Sequence, residues 1–151
     1  YHGNPQRTRE AYDAAGRSTL GDIGYLDAEG YLYLTDRKHN MIITGGVNVF
    51  PQEIENVLIT HPAVLDVAVF GLPDVEMGDV IQAVVQPRDM SLAGPALEAE
   101  LIALVRARLA HYKAPRAVDF RAELPRHDTG KIYTRLLRDE YLSRRSPPAR
   151  A

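Results

Sequence analysis

Two apolar stretches, Val64–Phe70 and Val80–Gln86, constrain the fold of this chain more than any other feature. Each has the length of a strand and is mostly apolar, so each suits a strand buried inside a sheet. A sheet of that kind must be covered, and the flanking sequence supplies helices. Ile54, Val57 and Leu58 recur at i, i+3 and i+4, predicting a helix over 51–60 that starts at Pro51 and is stopped by His61-Pro62. Leu97, Leu101, Leu104, Val105 and Leu109 form one stripe of a helix over 96–110. A last helix over 131–143 carries Ile132, Leu136, Leu137 and Tyr141 in one stripe. Met41–Thr44 and Ala117–Arg121 read as short strands, Gly45-Gly46 ends the first of them, and Leu72-Pro73-Asp74 with Gly78 marks the connection between the two long strands. From Met41 the order is therefore β-α-β-β-α-β-α. The expected fold class is α+β: a small sheet of about three main strands flanked by helices, plus a short two-stranded hairpin.

The first forty residues read differently. A polar helix is expected over 4–15, with Asn4 as cap and Pro5 at its first position. A Gly-rich stretch, Gly16–Gly30, closes with the turn Asp27-Ala28-Glu29-Gly30, and Tyr31–Thr35 is a strand. Asp36–Asn40 is a polar break. Residues 1–36 are too few and too polar to bury a core, so they are expected to be the tail end of a larger N-terminal domain. Residues 37–143 then form a C-terminal domain, and 144–151, with Pro147-Pro148, a disordered tail. The opening Tyr1-His2-Gly3-Asn4-Pro5 has neither an initiator Met nor a signal-peptide pattern, and reads as the interior of a longer protein.

Composition removes several function classes. There is no cysteine, which excludes disulfides, thiolate metal sites and a cysteine nucleophile. A net charge of −2 gives no sign of a nucleic-acid partner. No apolar run approaches the ~20 residues of a membrane span. Gly130-Lys131 invites comparison with a P-loop, but that motif needs a glycine where Pro125 stands and a Ser or Thr where Ile132 stands. His127 and Asp128 lack the further ligands that a metal site requires.

Three segments occur in order: Gly21-Asp22-Ile23-Gly24-Tyr25; Asp36-Arg37-Lys38-His39-Asn40 running on to Gly45-Gly46-Val47-Asn48 and Pro51-Gln52-Glu53-Ile54-Glu55; and Leu124-Pro125-Arg126 leading to Thr129-Gly130-Lys131-Ile132. Each alone is moderately specific, and the ordered set is highly specific. Together they resemble the C-terminal part of the adenylate-forming superfamily: acyl-CoA synthetases, peptide-synthetase adenylation domains and luciferases. The wording of 31–37 and 48–55 most resembles fatty-acyl-CoA ligases.

The resemblance implies a lid domain that rotates between two orientations. In one, a carboxylate attacks the α-phosphate of ATP, giving acyl-adenylate and pyrophosphate; in the other, the thiol of CoA displaces AMP. It implies that Lys131 serves adenylation, that Asp22 and Arg37 hold the ribose, and that Asn48 contacts the adenylate. It further implies that His39 stands at the hinge, where Asp or Lys is usual, and that Gly45 and Gly46 line the pantetheine channel. Where plant phenylpropanoid-CoA ligases have a lysine, this chain has Ile43. Glu53 reads as structural. Tyr25, Tyr31 and Tyr33 read as packing residues, and Arg135, Arg138, Arg144 and Arg145 as a solvated helix face and tail.

The implied substrates are a carboxylic acid, ATP and CoA. Mg2+ would come with ATP and be held mainly by a large domain outside this chain. The expected partner is the protein's own N-terminal domain, with oligomerisation open, no nucleic acid, no integral membrane segment and a cytoplasmic location. Two rivals stand beside this reading. One is an adenylation domain that loads a carrier protein; the other is a non-catalytic, free-standing binding module.

Overall fold

The computed structural model of the chain describes residues 3–19, 21–37 and 40–145. The chain forms two compact units, residues 1–40 and 41–151.

In the first unit, helix α1 spans only Pro5–Glu10, shorter than the expected 4–15. Asp13 explains the early stop. Its carboxylate accepts hydrogen bonds from the amides of Ala15 and Arg17, both at 2.9 Å, giving the backbone a turn instead of a helix. Strands β1 (Asp22–Leu26) and β2 (Leu32–Arg37) then form an antiparallel hairpin. Its turn is built by Asp27, which accepts from the Glu29 and Tyr31 amides, and by Gly30 at φ 88°. The Tyr31 amide is the main cause of an Asp27 carboxyl held below its ordinary pKa. Gly24 sits at a bulge, where a Cβ would lie 2.4 Å from the Tyr33 carbonyl oxygen, so only glycine fits. Tyr25 and Tyr33 face each other across the ladder with rings stacked at 5.2 Å. These tyrosines are exposed rather than packed inside this unit.

The second unit is a five-stranded sheet with helices on both faces. Its strands are β3 (Ile42–Thr44), β4 (Val47–Val49), β5 (Val64–Asp74), β6 (Gly78–Pro87) and β7 (Ala117–Phe120). The order is β4-β3-β6-β5, with β7 parallel to β6 along Gln82–Val85. Helices α2 (Pro51–Leu58), α3 (Pro95–Arg108) and α4 (Thr134–Arg145) complete it. α4 extends two residues past 143, into the segment expected to be a tail.

The two-sided cover explains why the β5 and β6 sequences are continuously apolar. Val67, Val69, Ile81, Ala83 and Val85 point to one side and pack with Ile54, Leu58, Leu97, Leu101 and Val105 of α2 and α3. The intervening Ala68, Phe70, Leu72, Val80 and Val84 point to the other side and pack with Leu124 and with Leu137 of α4. Alternation is present, but both faces are dry, so no polar period appears.

Two long strands run further than expected. Leu72-Pro73-Asp74 is strand rather than connection, paired with Val80, Asp79 and Gly78. Proline is tolerated because β5 is the edge of the sheet and has no second neighbour to receive an N–H. That edge is capped where it is buried: the Glu55 carboxylate on α2 accepts from the Val69 amide at 2.9 Å. β4 was not expected, since Gly45-Gly46 reads as a stop. It is instead the turn of the hairpin that joins Thr44 to Val47.

Candidate functional site

Lys131 lies on a small hairpin that precedes α4. Arg126 and Ile132 bridge its arms, the His127 amide donates to the Lys131 carbonyl at 2.8 Å, and the Gly130 amide donates to the His127 carbonyl at 2.8 Å. Gly130 has φ 84°. A type I turn closed by a left-handed glycine has this pattern, which is why a glycine must precede the lysine. The expected helix start at 131 is therefore corrected to Thr134: Tyr133 is still bound to the hairpin, its amide donating to the Pro125 carbonyl at 2.7 Å. His127 stacks on Tyr133, ring centroids 3.9 Å apart. The Lys131 side chain is exposed and makes no hydrogen bond or ion pair among the described residues. An uncommitted ammonium on a tight turn is available to an external anion.

Gly45 and Gly46 form the two-residue turn of the β3–β4 hairpin, at φ 55° and 78°. Positive φ at both central positions is the type I′ turn, whose twist matches that of the strands. The Gly45 amide donates to the Met77 carbonyl at 2.8 Å, and Thr44 pairs with Gly78. The turn therefore sits beside the β5–β6 connection. Asn48, in the middle of β4 opposite Ile43, is exposed, with a side chain that makes no hydrogen bond among the described residues.

The lysine and the glycine pair thus mark opposite ends of one sheet. The Lys131 hairpin is anchored at Asp66, near the start of β5, through Arg126. The Gly45-Gly46 turn is anchored at Met77-Gly78, beyond its end. From Asp66 to Asp74 the strand extends roughly 25 Å at the usual rise per residue. The two features do not form one pocket.

In the first unit, Asp22 and Arg37 are direct partners across the β1–β2 ladder. The hairpin therefore brings together two residues fifteen positions apart that the resemblance assigns to the same ribose. His39 and Lys38 lie outside the described residues.

Several contacts were not legible in the sequence. Glu53 pairs with Lys113, a structural tie between α2 and the turn after α3. Arg138 is not simply solvated: its Nε donates to the Gly71 carbonyl at 2.9 Å. Arg144 lies over the Tyr141 ring at 5.5 Å. A shallow cleft of about 240 Å³ beside the lysine hairpin is lined by Gln52, Glu55, Asn56, Asp66 and Ile132 among others. Among the described residues, no group of three or more His, Asp or Glu could hold a metal ion. No helix among the described residues is long and apolar enough to cross a membrane.

Comparison with known proteins gives these features a context. Residues 53–131 match the family model of the AMP-binding enzyme C-terminal domain. The chain is 44% identical over 141 residues to the long-chain-fatty-acid–CoA ligase FadD13 of Mycobacterium tuberculosis, covering 93% of this chain and 27% of the relative. Among solved structures, ATP-bound MatB from Rhodopseudomonas palustris superposes with a TM-score of 0.82 at 32% identity, covering 94% of this chain and 28% of that one. The amide bond synthetase McbA from Marinactinospora thermotolerans superposes with a TM-score of 0.79 at 35% identity, covering 93% of this chain and 28% of that one. The chain spans about a quarter of the length of these relatives.

Proposed function

The chain belongs to the AMP-binding enzyme C-terminal domain family, and from that premise we propose that it is the mobile lid of an AMP-forming acyl-CoA ligase. Its substrates would be a carboxylic acid, ATP and CoA, in the cytoplasm, and its partner a large domain of the same protein. The observation that carries the reading is the placement of Lys131 and of Gly45-Gly46 at opposite ends of one sheet.

Each end suits one half-reaction. Attack of a carboxylate on the α-phosphate gathers negative charge on oxygen. The exposed Lys131 ammonium, held on a tight turn, stabilises that charge once water is excluded, an effect of about 3 kcal/mol for one well-aimed group. In the first unit, Asp22 and Arg37 stand opposite each other on the β1–β2 ladder, and we assign both to the ribose because a carboxylate suits a vicinal diol and a guanidinium suits an oxygen-rich ligand. Asn48, which the family motif assigns to the adenylate, stands on β4 two residues from the Gly45-Gly46 turn and not beside the lysine hairpin, so it does not follow the division between the two ends. At the other end, a turn of two glycines presents bare backbone, along which a narrow thiol arm can pass. We assign His39 to the pivot from its place in the family motif alone.

In this reading the nucleotide pocket belongs mainly to the large partner domain, so the 151-residue chain alone is expected to show no ATP–pyrophosphate exchange. In the full-length protein, Lys131→Ala should lower adenylation at least ~100-fold, while thioester formation from preformed acyl-adenylate stays within ~3-fold. Equal loss in both half-reactions would refute the two-ended reading.

The likeness to an amide bond synthetase supports a second possibility for the acceptor alone. The nucleophile could be an amine or a carrier-bound thiol without any change in this domain's fold. Hydroxylamine trapping of the adenylate, followed by competition between CoA and amines, separates the cases.

A further inference from the structure

Among the described residues, Arg126 ties the turn of the lysine hairpin to the sheet by side-chain hydrogen bonds at both ends. Its Nη1 donates to the Gly130 carbonyl at 2.9 Å, and its Nη2 donates to Asp66 Oδ2 at 2.5 Å. Asp66 is itself fixed, because its Oδ1 accepts from the Val67 amide at 2.9 Å. Apart from the two main-chain bonds that close the turn, no other hydrogen bond reaches residues 128–130 among the described residues.

The carbonyl that Arg126 holds belongs to the peptide group joining Gly130 to Lys131. That group is planar. Fixing its oxygen therefore fixes the direction of the Lys131 N–Cα bond; with the Lys131 carbonyl held by the His127 amide at 2.8 Å, both flanking planes are set, and so is the direction in which the Cα–Cβ bond leaves the turn. Glycine is the residue with the greatest backbone freedom, so without this bond the Gly130–Lys131 peptide plane would be the softest point of the hairpin. A guanidinium suits the task because its rigid fork serves two acceptors at once, one on the sheet and one on the turn. An ammonium has no such fork.

We propose that Arg126, braced by Asp66, is a positioning residue that aims Lys131 during adenylation. The proposal rests on the reading of Lys131 as the adenylation lysine. Stability alone gives a poor account of the pair. Its side chains are 38% and 28% exposed, and ion pairs that wet contribute little to folding. Aim is a more sensitive quantity: a misplacement of about 1 Å can lower a rate on the order of 100-fold. The pair should therefore matter far more to rate than to melting temperature.

The test uses the full-length protein and four variants: Arg126→Lys, Asp66→Asn, Lys131→Ala and the double variant Arg126→Lys/Lys131→Ala. Adenylation, thioester formation from preformed acyl-adenylate, and thermal melting are measured for each. Arg126→Lys keeps the charge and loses the fork. It is expected to lower the adenylation kcat ~10- to 100-fold, with KM for ATP, the thioester step and melting little changed. Asp66→Asn should show the same pattern more weakly. The double variant should be no slower than Lys131→Ala, because Arg126 acts only through that lysine. Unchanged adenylation in Arg126→Lys would overturn the proposal and leave a surface ion pair. So would a double variant slower than Lys131→Ala, or a loss of adenylation matched by an equal loss of thioester formation. If Lys131→Ala itself adenylates normally, the underlying lysine reading falls; if it is crippled while Arg126→Lys is not, only the positioning role falls.

Discussion

Placing a side chain at Gly46 separates a hairpin turn that merely ends a strand from one that lines a passage. Gly46 has φ 78°, and an added Cβ would meet nothing within 4 Å. The cost of a side chain is therefore conformational, not steric. An L-residue in the left-handed region costs about 1–2 kcal/mol, and asparagine much less, because its short polar side chain favours that region. Gly46→Ala should destabilise by about 1 kcal/mol and Gly46→Asn by a few tenths, read by denaturant melting monitored on this unit. Gly45 is a poorer probe, since its Cβ would press on Met77 Cε at 3.2 Å. If the turn tip borders the route of the thiol arm, Gly46→Asn should lower the thioester-forming rate ~10-fold or more, equivalent to about 1.4 kcal/mol of barrier. That exceeds its cost in stability, so the two effects can be told apart. Adenylation should be untouched, because the lysine hairpin lies at the far end of the sheet. Pre-steady-state measurement of each half-reaction decides the matter. Normal thioester formation in Gly46→Asn would refute the reasoning and reduce Gly45-Gly46 to a structural turn.

Two further expectations concern the scaffold. Leu101 is fully buried among α2, α3 and the sheet, so Leu101→Ala should cost about 3 kcal/mol in urea unfolding, whereas Leu136→Ala, 41% exposed, should cost under ~1 kcal/mol. Burial, with a hydrogen bond to Asp119, pushes the Tyr141 phenol up to about 12, against an ordinary value of 10.0. A raised phenol favours the protonated folded state. Its stabilisation is complete below pH 10 and lost as pH rises towards 12, so stability should fall across that window and Tyr141→Phe should flatten the slope.

The sheet was legible because burial on both faces leaves its mark in the sequence. Val64–Phe70 and Val80–Gln86 announced strands, and the Leu97–Leu109 stripe announced their cover. Local competition accounts for most of the differences. Asp13 diverts the chain from α1, and Tyr133 is committed to the hairpin before α4 can begin. Pro73, a strand breaker in most settings, is accommodated by an edge. Gly45-Gly46 suits the end of a strand, but two adjacent glycines between branched residues also describe the type I′ hairpin that forms. What no local pattern contained were the long-range polar ties. Arg126 and Asp66 are sixty positions apart, as are Lys113 and Glu53. Glu98 reaches the Val118 amide. Such pairs follow from the packing of elements, not from the period of any one of them.

The geometry of the second unit makes an argument of its own about the proposed reaction. In the proposed reaction both half-reactions would be centred on the same acyl carboxyl and α-phosphate, so their reacting atoms would occupy one place. Lys131 and Gly45-Gly46 are anchored at opposite ends of β5, whose stretch from Asp66 to Asp74 is roughly 25 Å long. That strand is paired along its length with β6, and its side chains are locked into a core on both faces. Close-packed cores of this kind do not shorten or bend to bring their ends together. If both features act, they must act in turn, and the whole unit must move as a body between the two steps. The hinge then has to lie outside the sheet. The first unit ends at Asn40 and the second begins at Met41, so the proposed rotation would be taken up outside residues 41–145. A crosslink that fixes one orientation of the unit should therefore abolish one half-reaction and leave the other, and a crosslink that permits both would contradict a rigid lid.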